Sequence, residues 1–157
     1  MKRIFTIVLT CAMALTLLAG CGKKDDVKVD LASFSQTVQS EHEFGFLETV
    51  TENELIEAIY PGLTSIETNQ SIVNACMVTN NMGEFVLIEV KNSDDVDAAK
   101  TILQSRIDSM VDGGAFYPEA TEMWKQNSAV VDNGNYVMMV VHPDKDAIVD
   151  AFNALFK

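Results

Sequence analysis

The stretch VLIEVKNSDDVDAAKTIL, residues 86–103, decides the fold because it combines a strand, a polar turn and a helix. Val86, Ile88 and Val90 share one face, the period-two pattern of a half-buried strand. From about Ser93 onward, apolar residues recur at steps of three and four, which predicts a helix with one buried side. Residues 137–155, VMMVVHPDKDAIVDAFNAL, repeat the same order of elements.

A second strand is predicted before each of these segments. Residues 72–79 lead into the turn NNMG at 80–83, and residues 128–132 lead into Asn133-Gly134, a strong hairpin signal. The two strand–strand–helix units are expected to form a four-stranded antiparallel sheet with both helices on its apolar face. The sequence therefore predicts an α+β fold.

Additional helices are predicted outside the two units. A short N-terminal helix is expected near residues 34–40, and the capping box TENE, residues 51–54, predicts the start of another. Pro61-Gly62 would end that second helix, and Pro118 suits the first turn of a helix before the second unit.

The N-terminus is predicted to be a signal peptide over residues 1–20. Two basic residues precede an uncharged run that is shorter than a membrane-spanning helix. The run ends in LAGC, residues 18–21, which resembles the lipobox of bacterial lipoproteins. This resemblance implies cleavage before Cys21 and a diacylglycerol on its thiol, which would anchor the protein on the extracytoplasmic face of the cell membrane. The alternative is an ordinary secreted protein with a chance cysteine.

The predicted mature chain consists of a flexible tether, residues 21–33, and a single domain, residues 34–157. It carries 9 basic and 23 acidic residues, a net charge of −14 once Lys2 and Arg3 leave with the signal peptide. Such acidity argues against nucleic acid and anionic lipid surfaces as partners, because both require a basic face. Cys76 is the single cysteine of the predicted domain, and its apolar neighbours favour a buried thiol.

The second half of the chain resembles the domain of unknown function family 4358, small and mostly Gram-positive lipoproteins. The matching features are Glu84 leading into a strand, the Leu103 and Arg106 pair, Tyr117-Pro118 and NGNYV at 133–137. The resemblance implies the α+β architecture and a location at the cell membrane. It implies no activity, because none is established for the family.

No catalytic, cofactor or metal motif stands out. His42 lies between Glu41 and Glu43, and consecutive side chains do not converge, so no metal site is expected there. His142 precedes Pro143 and is predicted to be a solvated turn residue. The sequence predicts neither catalytic residues nor a cofactor.

Four residues are candidates for a ligand or partner surface: Tyr60, Arg106, Tyr117 and Trp124. Aromatic side chains with one polar atom serve binding well. Tyr60, Tyr117 and Trp124 would line a groove if the helix boundaries near them lie at the same end of the sheet. The alternative is that they cover the edge of the core. Arg106 would either hold a ligand carboxylate or pair with an acid one turn away.

Two classes of function remain open. The first is a non-catalytic module that binds an envelope protein or a small ligand. The second is a small cell-envelope enzyme acting on wall or lipid material, which would require a polar pocket uniting Arg106, His142 and carboxylates. A duller third alternative is a spacer or assembly subunit.

Overall fold

The structure is a computed structural model that describes residues 28–78 and 82–157. The predicted signal peptide, Cys21 and most of the tether lie outside these residues, as does the start of the turn predicted at 80–83. The first helix begins at Leu31 and Val29 is buried, so the packed chain extends into the segment predicted as tether.

The described residues form five helices and five strands, in the order α1 Leu31–Glu41, β1 Leu47–Val50, α2 Asn53–Ile59, β2 Thr68–Cys76, β3 Glu84–Val90, α3 Val96–Ser109, α4 Pro118–Gln126, β4 Ser128–Asn133, β5 Tyr136–Val141 and α5 Lys145–Ala154. Within this part of the chain, every helix is too short or too polar to cross a bilayer.

The strands form one antiparallel sheet in the order β1-β2-β3-β5-β4. Both predicted hairpins are present, and the pairing of β3 with β5 joins them as expected. The prediction of four strands is wrong by one, because β1 adds a fifth strand beside β2. Its four residues, LETV, are too few to show a clear period.

The prediction that both long helices cover one face of the sheet is also wrong. Val86 and Ile88 pack into a core with α3 and α4, whereas Phe85 and Leu87 pack into a second core with α1 and α5. Strand β3 is therefore buried on both faces, in contrast to the half-buried strand expected from its alternation.

The local helix signals were confirmed in part. Pro118 is the first residue of α4, as predicted. The helix expected near residues 34–40 is the longer α1, and Asp30 caps its start by accepting hydrogen bonds from two backbone N–H groups. The predicted capping box at 51–54 does not form, because α2 begins at Asn53 without a side-chain cap. Cys76 is buried as expected.

We predict that Gly83→Ala destabilises the domain, because the added methyl group would lie 2.8 Å from the backbone oxygen of Val141. Overpacking of this kind costs about 1–3 kcal/mol. Gly45→Ala is the control, since no atom of the described residues lies within 4 Å of its added methyl group. Urea unfolding of both variants tests this, and equal free energies of unfolding would contradict it.

Candidate functional site

A buried carboxylate forms the centre of the candidate site. Glu84, the first residue of β3, is fully buried and accepts a hydrogen bond from Tyr60 Oη at 2.5 Å. Arg106 donates two more, from Nε at 3.2 Å and from Nη2 at 2.5 Å. Because each carboxylate oxygen has a donor, the charge of Glu84 is compensated inside the protein.

Three separate elements deliver these side chains. Tyr60 directly follows α2, where Gly62 adopts a φ of +93° and turns the chain away while the tyrosine ring enters the core. Arg106 lies in the last turn of α3, where a positive charge complements the helix dipole. Trp124, from α4, completes the cluster: the Arg106 guanidinium carbon lies 5.3 Å from the Trp124 ring and 5.9 Å from the Tyr60 ring.

The cluster fixes the protonation of two of its members. Burial, followed by the charge of Glu84, raises the pKa of Tyr60 well above 10.0. For Arg106, burial acts to lower the pKa, but the hydrogen bond and the charge of Glu84 outweigh it, so the pKa lies above its ordinary value. Tyr60 therefore stays neutral, and Arg106 stays charged, through the physiological range.

A cavity of about 410 Å³ opens beside this cluster. Arg106 lines it and keeps 19% of its side chain exposed. Its guanidinium has five N–H donors, and Glu84 accepts from two of its nitrogens. The walls combine apolar and hydroxyl side chains, among them Ile59, Pro61, Ile102, Ser105 and Ser109.

The structure brings together three of the four candidate surface residues, but not as a groove. Tyr60 and Trp124 are fully buried, so neither lines an exposed surface. Tyr117 is 42% exposed and contacts the ring of Phe116 at 5.1 Å, outside the cluster. Arg106 pairs with an acid from the neighbouring strand, whereas pairing one turn away on its own helix was the expected alternative.

Glu84 is the site residue that sequence reasoning missed. The sequence identified it only as part of the family resemblance. The available signal was a carboxylate immediately before the apolar run Phe85–Ile88, which requires a partner if the strand is buried from its first residue.

The pocket that would favour an enzyme, uniting Arg106 with His142, is not formed by the described residues. Arg106 bonds Glu84 beside the α3 core, whereas His142 packs at 4.5 Å against Phe44, which belongs to the other core. The prediction that His142 is solvated is wrong, since it is only 6% exposed.

Comparison with known proteins identifies one family. The model of the domain of unknown function DUF4358 matches residues 43–142, which include all five strands and both charged residues of the site. No curated protein and no solved structure matches the chain. The match confirms the family resemblance seen in the sequence.

We predict that Glu84→Gln lowers the free energy of unfolding by about 3–5 kcal/mol, because it leaves the Arg106 charge uncompensated. Adding Arg106→Met should recover part of this loss by removing the unpaired charge. Denaturant unfolding measures both effects, with Glu48→Gln, at an exposed position of β1, as the control. If the Glu84→Gln protein were as stable as the Glu48→Gln protein, the stabilising role assigned to the Glu84–Arg106 pair would be disproved.

We predict that Tyr60 makes stability fall at alkaline pH. The folded state holds the Tyr60 proton to a higher pH than the unfolded chain, whose tyrosines titrate near 10.0. This contribution to stability is complete below about pH 10 and is lost as pH rises above it. Tyr60→Phe should flatten the decline, whereas exposed Tyr117→Phe should leave it unchanged. Unfolding free energies measured from about pH 8 to about pH 11 test this, and parallel curves for the two variants would refute it.

Proposed function

Because this chain belongs to the DUF4358 family, whose function is unknown, we propose its role from its own side chains. We infer a lipid-anchored, non-catalytic module on the extracytoplasmic face of the membrane that binds its ligand in the cavity beside Arg106. The observation that carries this proposal is that Arg106 lines a cavity while Glu84 and two aromatic rings hold its guanidinium in place.

The fixed position of Arg106 favours binding. Two hydrogen bonds to Glu84 and two aromatic rings hold the guanidinium, so little side-chain entropy is lost when a ligand arrives. A fork of N–H donors selects an oxygen acceptor, and the apolar walls select a nonpolar body. The ligand class is therefore a molecule or peptide that combines apolar groups with a carboxylate or carbonyl oxygen.

The same cluster is poorly suited to proton transfer. General acid–base catalysis works best with a pKa near the operating pH. Burial and the Glu84 charge move the pKa of Tyr60 away from neutrality, and Glu84 keeps the pKa of Arg106 high. This favours the binding module over the alternative of a small enzyme acting on wall or lipid material.

Support for the membrane anchor comes from the sequence. The LAGC motif ends at Cys21, and eight residues later the chain enters the fold at buried Val29. The acidic domain would be repelled by an anionic bilayer surface, which suits a module held by its lipid alone.

The experiment is crosslinking of the full-length protein on intact cells, with its neighbours identified by mass spectrometry. Ser105→Phe should fill the cavity without touching the buried ion pair, and it should reduce recovery of a cavity-bound partner by about ten-fold or more. Gln104→Phe is the matched control, because it adds the same ring one residue away on α3, outside this cavity. Cys21→Ala provides the unanchored control.

A small ligand would be detected through Trp124, the single tryptophan of the chain, which stacks against Arg106. Its fluorescence should respond to the ligand in the Gln104→Phe protein and fail to respond in Ser105→Phe. Partners and fluorescence responses that survive Ser105→Phe would place binding elsewhere and overturn the assignment of this cavity.

A further inference from the structure

Two histidines and an aspartate converge at one end of the second core, although His42 lies 102 residues before Asp144 in the sequence. His42 follows α1, His142 follows β5, and Asp144 directly precedes α5. One candidate ligand atom from each lies within 4.8 Å of the other two. Within residues 28–78 and 82–157, this is the one group of three or more such residues positioned to hold a metal ion.

The backbone holds this cluster in place. The His42 N–H donates to Val38 O, and the His142 N–H donates to Asn127 O, both at 2.9 Å. The His42 and His142 rings meet edge to face at 5.6 Å, with Phe44 against His142. The two histidine side chains are 16% and 8% exposed, whereas that of Asp144 is 60% exposed. The cluster is thus enclosed on the histidine side and open on the aspartate side.

Hydrogen bonding defines which nitrogen of His142 carries the proton and which carries the acceptor lone pair. Its Nε2 lies 3.2 Å from the backbone oxygen of Glu43, and because a carbonyl only accepts, Nε2 carries the proton. Its Nδ1 accepts from the Asp144 backbone N–H at 3.0 Å and faces the Asp144 carboxylate at 3.9 Å. A ring whose one N–H donates to a backbone carbonyl, which leaves the other nitrogen as the acceptor, is the arrangement of metal-binding histidines.

The spacing of the donor atoms fits a small ion. Ligands about 2.1 Å from a tetrahedral zinc ion lie about 3.4 Å from one another. The Asp144 Oδ2 lies 3.0 Å from His42 Nδ1 and 3.9 Å from His142 Nδ1, on either side of that value. An ion would replace the His42–Asp144 contact and the backbone bond to His142 Nδ1 with coordination bonds. The proton that His42 Nδ1 donates to Asp144 would be released or transferred to Nε2 as the ion binds.

The donor types select the class of metal. Two imidazole nitrogens and one carboxylate oxygen suit zinc and neighbouring transition metals, whereas calcium and magnesium prefer oxygen ligands. The Asp144 carboxylate is available for this role, because it makes no capping hydrogen bond to α5.

We propose that His42, His142 and Asp144 form a binding site for a divalent transition metal of the zinc class. Three protein ligands leave one coordination position open on the exposed Asp144 side. The ion would join the end of α1, the end of β5 and the start of α5.

The test uses the untagged full-length chain in mild detergent, stripped with a chelator and titrated calorimetrically with Zn²⁺. We expect one Zn²⁺ per chain. Asp144→Asn should weaken this binding by more than about 100-fold, since even outer-shell partners of a metal site contribute about 10- to 100-fold. Asp146→Asn makes the same charge change two residues later, at a 93% exposed position outside the cluster, and should bind as the wild type does.

A second variant and a second metal make the result decisive. His42→Gln should also abolish the tight binding, and metal-free thermal unfolding of each variant verifies that it is folded. Co²⁺ should produce visible bands of nitrogen and oxygen coordination, without the thiolate band that binding at a cysteine would give. Absence of stoichiometric Zn²⁺ binding, or binding that survives either substitution, would overturn the proposal.

Discussion

The burial of the β3–β5 pair on both faces is the constraint on which the rest of the structure depends. Every residue of β5 is buried, and in β3 only Glu89 is partly exposed. A sheet whose central strands are apolar on both sides must be covered by helices on both sides. This requirement explains why α3 and α5, which follow equivalent strands of the two units, lie on opposite faces.

The same constraint creates the ion pair. Burial of β3 begins at its first residue, so the carboxylate of Glu84 lies inside the protein and must be compensated there. Arg106 and Tyr60 supply the donors, and they connect α3 and the end of α2 to the central strand. Arg106 is therefore placed between the two: its guanidinium stabilises the fold through Glu84, and its side chain also lines a cavity.

Most elements could be predicted from the sequence, because periodicity and turn residues are local properties. Asn133-Gly134 predicted the β4–β5 hairpin, although the two-residue loop itself is Gly134-Asn135, with Gly134 at a φ of +57°. The two-sided burial of β3 was also present in the sequence, at Phe85 and Leu87, but the stronger alternation on the other face obscured it.

The sites could not be predicted to the same extent, because they depend on which distant residues meet. The partner of Arg106 lies 22 residues away in sequence, and the partner of His42 lies 102 residues away. Neither separation has a local signature. Neighbouring residues in the sequence were misleading, since Glu41 and Glu43 surround His42 but the side chain bonded to it is Asp144.

The position at which the N-terminal segment joins the fold distinguishes the two ends of the domain. The Val29 N–H donates to Tyr136 Oη at 3.3 Å, so the N-terminal segment enters near the start of β5. At the far end of that strand stand Glu84, through its pairing in the sheet, and His142. If Cys21 carries a lipid, the segment from Cys21 to Val29 spans at most about 30 Å. It would therefore keep the end of the domain near the start of β5 toward the bilayer. The cavity beside Arg106 and the cluster of His42, His142 and Asp144 would then lie at the end of the domain farther from the membrane, facing the molecules of the cell envelope.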